Sequence, residues 1–233
     1  GPAAKETLRA ALDAGAPVTG VHAFIDLDPA PLALKEIETP LLDIAGHFDG
    51  LTGFYVQDLT TGQAIQHNAQ ITTSGMSMIK VAIMATAYRV VPRPFSNELQ
   101  EALSEMIAHS INEKSNAVIL EIGEGDFSLG LERVNETLAA LGMHQSYIAS
   151  AYRVEEGPSY APIDVPERLP VDVPEEERID LWPDTAMQTS LADQAILFEA
   201  IYRGASGEGR LFEAYPDLTA EDCQGMLDLL KTN

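Results

Sequence analysis

Basic residues and cysteines are scarce in this chain. Of 233 residues, 14 are lysine or arginine against 36 aspartates and glutamates, a formal charge of −22 at pH 7. Gripping a phosphate backbone takes clustered cations, so nucleic acid is excluded as a partner. An anionic membrane surface is excluded on the same ground. The acidity fits simple solubility, or a saline or extracellular setting, and says little about fold. Cys223 is the single cysteine, so no intramolecular disulfide can form and the redox compartment stays open. It falls on an apolar-patterned final helix and reads as an inert buried thiol. His22, His47, His67, His109 and His144 show no metal-ligand spacing, and no cysteine partners accompany them, so neither a metal nor a cofactor is expected. His109 adjoins Ser110, but neighbours on a helix point about 100° apart and do not meet. No stretch is long and apolar enough to span a bilayer. No internal repeat is visible. Gly204 to Gly209 has no strand leading in and no helix-opening lysine, so it reads as a flexible loop and not a phosphate cradle. No secretory leader is seen, but Gly1-Pro2 resembles the scar of a tag-removing protease, so the missing leader carries no meaning.

The residues that are present describe a folded chain. Hydrophobic content is 45 %, with 17 glycines and 14 prolines, as in one domain or a helical and a sheet subdomain sharing a core. Residues 3–15 read as an Ala/Leu helix and 18–27 as a short strand closed by Pro29 and Pro31. A helix over 37–45, a hairpin over 52–67 and a central helix over 77–90 follow. The central helix is apolar on nearly every face and must be buried among others; Met76, Met78 and Met84 on it read as core gap-fillers. Helices over 97–109, 114–122, 129–141, 190–203 and 219–230 complete a mainly helical α+β chain. The last has Thr219-Ala220-Glu221-Asp222 as a capped start.

Ser77-Met78-Ile79-Lys80 is the most informative stretch. Serine and lysine three apart on a helix share a face. An amine beside a hydroxyl can take its proton, once burial or a nearby cation has lowered the lysine pKa. At a helix's first turn, unpaired N–H groups also stand ready for a developing oxyanion. A second element lies between Leu99 and Gly123, where one helix ends near His109 and the next begins around Glu113. The connection between them is Ser110-Ile111-Asn112. A hydroxyl there can relay a proton, and an amide can hold a substrate carbonyl or the lysine. The alternative is that Ser110 or Asn112 merely caps the following helix.

In this order the two elements resemble the penicillin-recognising serine enzymes, and class A β-lactamases in particular. The resemblance runs from about Leu41 to Asn233. Gly53 to Ile65, with its Thr60-Thr61-Gly62 turn, is similar to that family's opening hairpin. His67-Asn68-Ala69 and Ile71 are similar to its approach to the nucleophile. Asn116, Gly123, Val134 to Gly142 and the threonine-rich Asp184 to Asp193 also match. The resemblance implies an α+β fold of β-lactamase or DD-peptidase-like type, with a mainly helical body and an antiparallel sheet. Residues 1–40 would be an N-terminal extension and 41–233 the hydrolase domain. It implies that Ser77 attacks a β-lactam or acyl-D-Ala-D-Ala carbonyl with Lys80 as proton acceptor. Ser110 would pass the proton to the leaving nitrogen, and Asn112 would orient the substrate amide. An extracytoplasmic setting is implied as well.

Two departures qualify it. The family's third element, a Lys-Thr/Ser-Gly triplet on a strand, has no counterpart: Lys231-Thr232-Asn233 follows Met226 to Leu230 and reads as the end of a helix. By resemblance the chain lacks the final strands, the cation that binds a substrate carboxylate, and one oxyanion donor. It would be an enzyme if those strands are supplied, by a second polypeptide or a neighbouring copy pairing with an open sheet edge. Between Ala149 and Asp184 no Glu-x-x-x-Asn arrangement appears; Glu167 is the nearest candidate for a base that activates the deacylating water. Prolines at 158, 162, 166, 170, 174 and 183 make that segment extended. The rival function is a catalytically impaired domain of the same fold that binds peptide or protein in its groove.

Overall fold

The structure is a computed structural model and describes residues 34–165 and 184–232. The expected helix over 3–15, the strand over 18–27 and Glu167 lie outside the described residues. The chain divides into two compact units, residues 1–69 and 70–233.

In the first unit, helix α1 (Leu34–Gly46) precedes an antiparallel hairpin of β1 (Phe54–Gln57) and β2 (Ala64–His67), with Phe54 opposite His67 and Gln57 opposite Ala64. The turn is built by Asp58. Its carboxylate accepts from the Thr60 N–H at 2.8 Å and from the Thr61 hydroxyl at 2.7 Å. These bonds hold the Asp58 carboxyl below the usual carboxylate range. Gly62 takes φ +74, the left-handed conformation that closes the turn without a Cβ penalty.

The second unit holds a three-stranded antiparallel sheet in the order β3-β5-β4, formed by β3 (Thr72–Ser74), β4 (Tyr147–Ile148) and β5 (Met187–Ser190). From β3 the chain enters a 3-10 turn (Met76–Ile79) that runs into α2 (Lys80–Val90). Around α2 stand α3 (Asn97–Ala108), α4 (Asn112–Ile122), α5 (Phe127–Ala140), α6 (Leu191–Gly204) and α8 (Ala220–Leu230), with the short α7 (Arg210–Ala214) against α6. Every side chain of α2 from Lys80 to Ala87 is buried. A helix apolar all round can satisfy itself only in this central position.

Local chemistry fixes the ends of the surrounding helices. Ser96, Asp126 and Ser190 accept hydrogen bonds from the first-turn N–H groups of α3, α5 and α6. Thr219 and Asp222 form the reciprocal capping box at α8 expected from the sequence. The crossing of α4 and α5 depends on missing side chains: a Cβ at Gly130 would lie 2.1 Å from the Ile119 carbonyl oxygen, and one at Gly123 would lie 1.8 Å from that of Asp126.

Two expectations need correction. Met76 is not a core gap-filler; it is 68 % exposed, because it enters the 3-10 turn at φ +37 with its side chain turned away from the helix interior. The helix expected to start at Ser77 begins instead as that 3-10 turn, with regular α-geometry from Lys80 onward. Among the described residues of the 149–184 segment, 149–165 contain no helix, as their prolines require.

Candidate active site

Gly75 makes the first part of the site. Its N–H donates to the Met187 carbonyl of β5 at 3.1 Å. A Cβ there would stand 2.5 Å from Ile79 Cγ1 and 3.3 Å from the Gln188 carbonyl carbon. Only a glycine therefore lets the 3-10 turn press this closely on the sheet. In 3-10 geometry the side chains at i and i+3 eclipse, so Ser77 stands directly over Lys80. Ser77 is exposed at the mouth, whereas Lys80 is 2 % exposed.

The connection between α3 and α4 supplies the second part. Ser110 sits at φ +57, a left-handed backbone that costs a non-glycine residue about 1–3 kcal/mol and persists where its surroundings impose it. Its hydroxyl donates to Ser77 Oγ at 2.7 Å and accepts from Lys80 Nζ at 3.0 Å. Lys80 Nζ also donates to Asn112 Oδ1 at 2.9 Å and to the Ser110 carbonyl. The Asn112 amide in turn donates to the Arg153 carbonyl at 3.1 Å, which fixes which way the carboxamide faces. Ser77, Lys80, Ser110 and Asn112 thus form one hydrogen-bonded chain. Lys80 is joined to Ser77 through Ser110.

This settles how the connection uses its polar atoms. Ile111 stands at the N-cap of α4 and makes no side-chain cap bond. Neither Ser110 nor Asn112 caps the helix; both turn toward the lysine.

The acceptors around Lys80 Nζ are a hydroxyl, an amide oxygen and a carbonyl, all neutral. With no carboxylate among them, burial dominates and pushes the Lys80 amine down from 10.5 to about 8, while the charge of Glu113 pulls it up. A buried amine near neutrality, one hydroxyl away from an exposed serine, can remove that serine's proton.

The structure adds a residue that the sequence does not single out. The Tyr152 ring covers Lys80, with Nζ 4.8 Å from the ring centre. Its hydroxyl donates to the Met76 carbonyl at 2.8 Å, next to Ser77. Its backbone is clamped by Asn116, which accepts from the Tyr152 N–H and donates to the Tyr152 carbonyl, each at 2.9 Å. Nothing in Ala151-Tyr152-Arg153 marks such a position; the contact is between segments far apart in the chain.

At the other end, Lys231 and Thr232 prolong α8. The Lys231 N–H donates to the Leu227 carbonyl at 3.1 Å and the Thr232 hydroxyl to that of Leu229 at 2.6 Å. They form a helix end and not a strand. Among the described residues no group of three or more His, Cys, Asp or Glu side chains could hold a metal ion.

Residues 36–93, from α1 through the 3-10 turn and α2, match the model of the β-lactamase enzyme family. Solved structures extend the likeness. A β-lactamase from Sphaerobacter thermophilus is 16 % identical with a TM-score of 0.50, over 78 % of this chain and 63 % of its own. One from Desulfarculus baarsii is 15 % identical with a TM-score of 0.55, over 86 % and 70 %. A mutant of the class A β-lactamase of the last common ancestor of Gram-negative bacteria is 17 % identical with a TM-score of 0.55, over 84 % and 70 %. This chain has the class A β-lactamase fold. It spans 63 % of the Sphaerobacter enzyme's length. No curated protein matches it in sequence. The class A likeness accounts for the architecture that carries the site, an all-round buried helix introduced by a short turn beside an antiparallel sheet.

Proposed function

We propose that this chain is a serine acyl-transfer enzyme of β-lactamase type, acting on β-lactams or D-Ala-D-Ala-like amides through Ser77. The observation that carries this is the hydrogen-bonded chain from Lys80 through Ser110 to Ser77, with the lysine amine held near 8. Ser77 Oγ attacks the substrate carbonyl carbon while its proton moves through Ser110 to neutral Lys80. The tetrahedral oxygen takes a hydrogen bond from the Ser77 N–H, in the first turn of the 3-10 segment, where N–H groups lack intrahelical partners. The C–N bond then breaks, and Ser110 delivers a proton to the leaving nitrogen, refilled from Lys80. The acyl group is left as an ester on Ser77. Asn112 fixes the Lys80 ammonium and flanks the approach of the substrate amide. An extracytoplasmic location accords with substrates of this class.

Incubation with a fluorescent penicillin, followed by intact mass measurement, tests the proposal. It should be run on this chain and on a version continuing past Asn233. A penicilloyl mass increment that disappears in Ser77→Ala is expected. A folded protein, verified by calorimetry, that takes no adduct in either form would instead point to a non-catalytic binding module on the same fold.

A further inference from the structure

We infer that Asp184 is a positioning residue for Ser77, its carboxylate fixing the point at which the sheet ends and the 3-10 turn begins. This role rests on the acyl-transfer reading above and adds a residue on which that step depends. It also accounts for Met76 at φ +37, since a left-handed backbone at a non-glycine residue persists where its surroundings impose it.

Asp184 stands at the end of the sheet from which the turn departs, and it is bonded to all three strands. Its Oδ2 accepts from the hydroxyl of Ser74, the last residue of β3. Its Oδ1 accepts from the Ala186 N–H at 2.8 Å and from the N–H of Met187, the first residue of β5, at 3.4 Å. Its backbone carbonyl accepts from the Tyr147 hydroxyl of β4. Burial pushes the Asp184 carboxyl up, but the bonds from Ser74, Ala186 and Met187 outweigh it and hold the group below the usual carboxylate range. At neutral pH both oxygens are therefore acceptors, as their three donors require.

A continuous run of bonds leads from this carboxylate to Ser77. Met187, held at its N–H by Asp184, accepts at its carbonyl from the Gly75 N–H at 3.1 Å. The Gly75 carbonyl accepts from the Met78 N–H at 2.9 Å, across Met76 and Ser77. Ser74, one residue earlier, is tied to the same carboxylate directly. The entry to the turn is thus pinned at two successive residues. Its next peptide is pinned as well, because the Met76 carbonyl accepts from the Tyr152 hydroxyl at 2.8 Å. That carbonyl and the Ser77 N–H belong to one planar peptide group, so fixing the first aims the second. Without the Asp184 carboxylate, Ser74 and Met187 lose their shared acceptor, and the strand end that carries the turn is free to shift. A shift on the order of 1 Å in the Ser77 hydroxyl and N–H is enough to slow acylation by about a hundredfold.

The test measures acylation by fluorescent penicillin over a range of concentrations, which separates the limiting rate from the half-saturating concentration. It is run on this chain and on the version continuing past Asn233, well below each variant's measured melting temperature. Asp184→Ala should lower the limiting rate about ten- to a hundredfold with little change in half-saturating concentration. Asp184→Asn should recover most of the rate. Its amide oxygen accepts from the Ala186 and Met187 N–H groups, and its amide nitrogen donates to Ser74 Oγ. Ser74→Ala should fall between the two. If Asp184→Ala fails to fold, the comparison of Ser74→Ala with Asp184→Asn decides. A carboxylate that only stabilises the fold would lower melting temperatures and leave the limiting rate of the folded variants at the wild-type value. That result overturns the positioning role and leaves acyl transfer standing. So does an Asp184→Asn as slow as Asp184→Ala, since the bonds and not the charge hold the turn. A wild type that takes no adduct in either form overturns both.

Discussion

Titration of Lys80 gives the sharpest consequence of the site's geometry. In the proposed mechanism the acceptor of the Ser77 proton is the neutral amine, so the acylation rate should follow the deprotonated fraction of Lys80. With its pKa lowered to about 8 from 10.5, about a tenth of the amine is neutral at pH 7, against roughly one part in three thousand for a solvated lysine; burial therefore raises the reactive fraction about 300-fold. Stopped-flow acylation by a chromogenic cephalosporin between pH 6 and 10 should rise about tenfold per pH unit at the acid end and level off near 8. Lys80→Arg keeps the charge but cannot deprotonate in this range, and should lose about 10²–10⁴ in rate at pH 8. Stability should carry the same signature. The folded amine loses its proton at a lower pH than the unfolded one, so between about 8 and 10.5 the unfolded chain binds more protons. The contribution of Lys80 to stability rises with pH across that window and is lowest below it. Melts of wild type against Lys80→Met should show the difference narrowing or reversing in favour of wild type as pH rises. A rate that is flat with pH, a midpoint near 10.5, or a fully active Lys80→Arg would refute the reasoning.

Other outcomes follow from the packing. Ser110→Ala removes the hydroxyl joining Lys80 to Ser77; acylation should fall by about 10²–10⁴ with little change in melting temperature, because that hydroxyl belongs to an exposed residue. Asn116→Ala leaves the Tyr152 N–H and carbonyl unpaired in a buried setting, and urea denaturation should show a loss of about 2–4 kcal/mol. Gly130→Ala would set a Cβ 2.1 Å from the Ile119 carbonyl oxygen; forcing α4 and α5 apart should cost about 1–3 kcal/mol or more in the same assay. Cys223 is buried, and burial pushes its thiol up to about 11. An aromatic disulfide reagent at pH 8 should label it only after denaturant is added.

Much of the fold was legible because its signals are local. Thr60-Thr61-Gly62 closes a hairpin, Thr219 with Asp222 caps a helix, and an uninterrupted apolar run can only be a central helix; each is decided by neighbours in sequence. Ser77, Lys80, Ser110 and Asn112 were legible as a pattern of residue types. Their connection was not. That Lys80 meets Ser77 through Ser110 depends on the left-handed backbone at Ser110 and on the 3-10 geometry at Ser77, neither of which the letters specify. Met76 was misread for the same reason, since apolar character alone does not reveal a backbone that turns the side chain outward. Tyr152 was invisible because its significance comes entirely from what packs against it: an amine and a carbonyl from the 76–80 turn and a clamping asparagine from α4.

In the proposed reaction Ser77 is a nucleophile activated by Lys80 through Ser110. Peptide mapping by tandem mass spectrometry of the penicillin-treated chain tests it most directly. A single acyl group is expected, on Ser77, formed far more slowly in Ser110→Ala and Lys80→Arg. Acylation at any other residue, or at Ser77 with a rate indifferent to both substitutions, would contradict it.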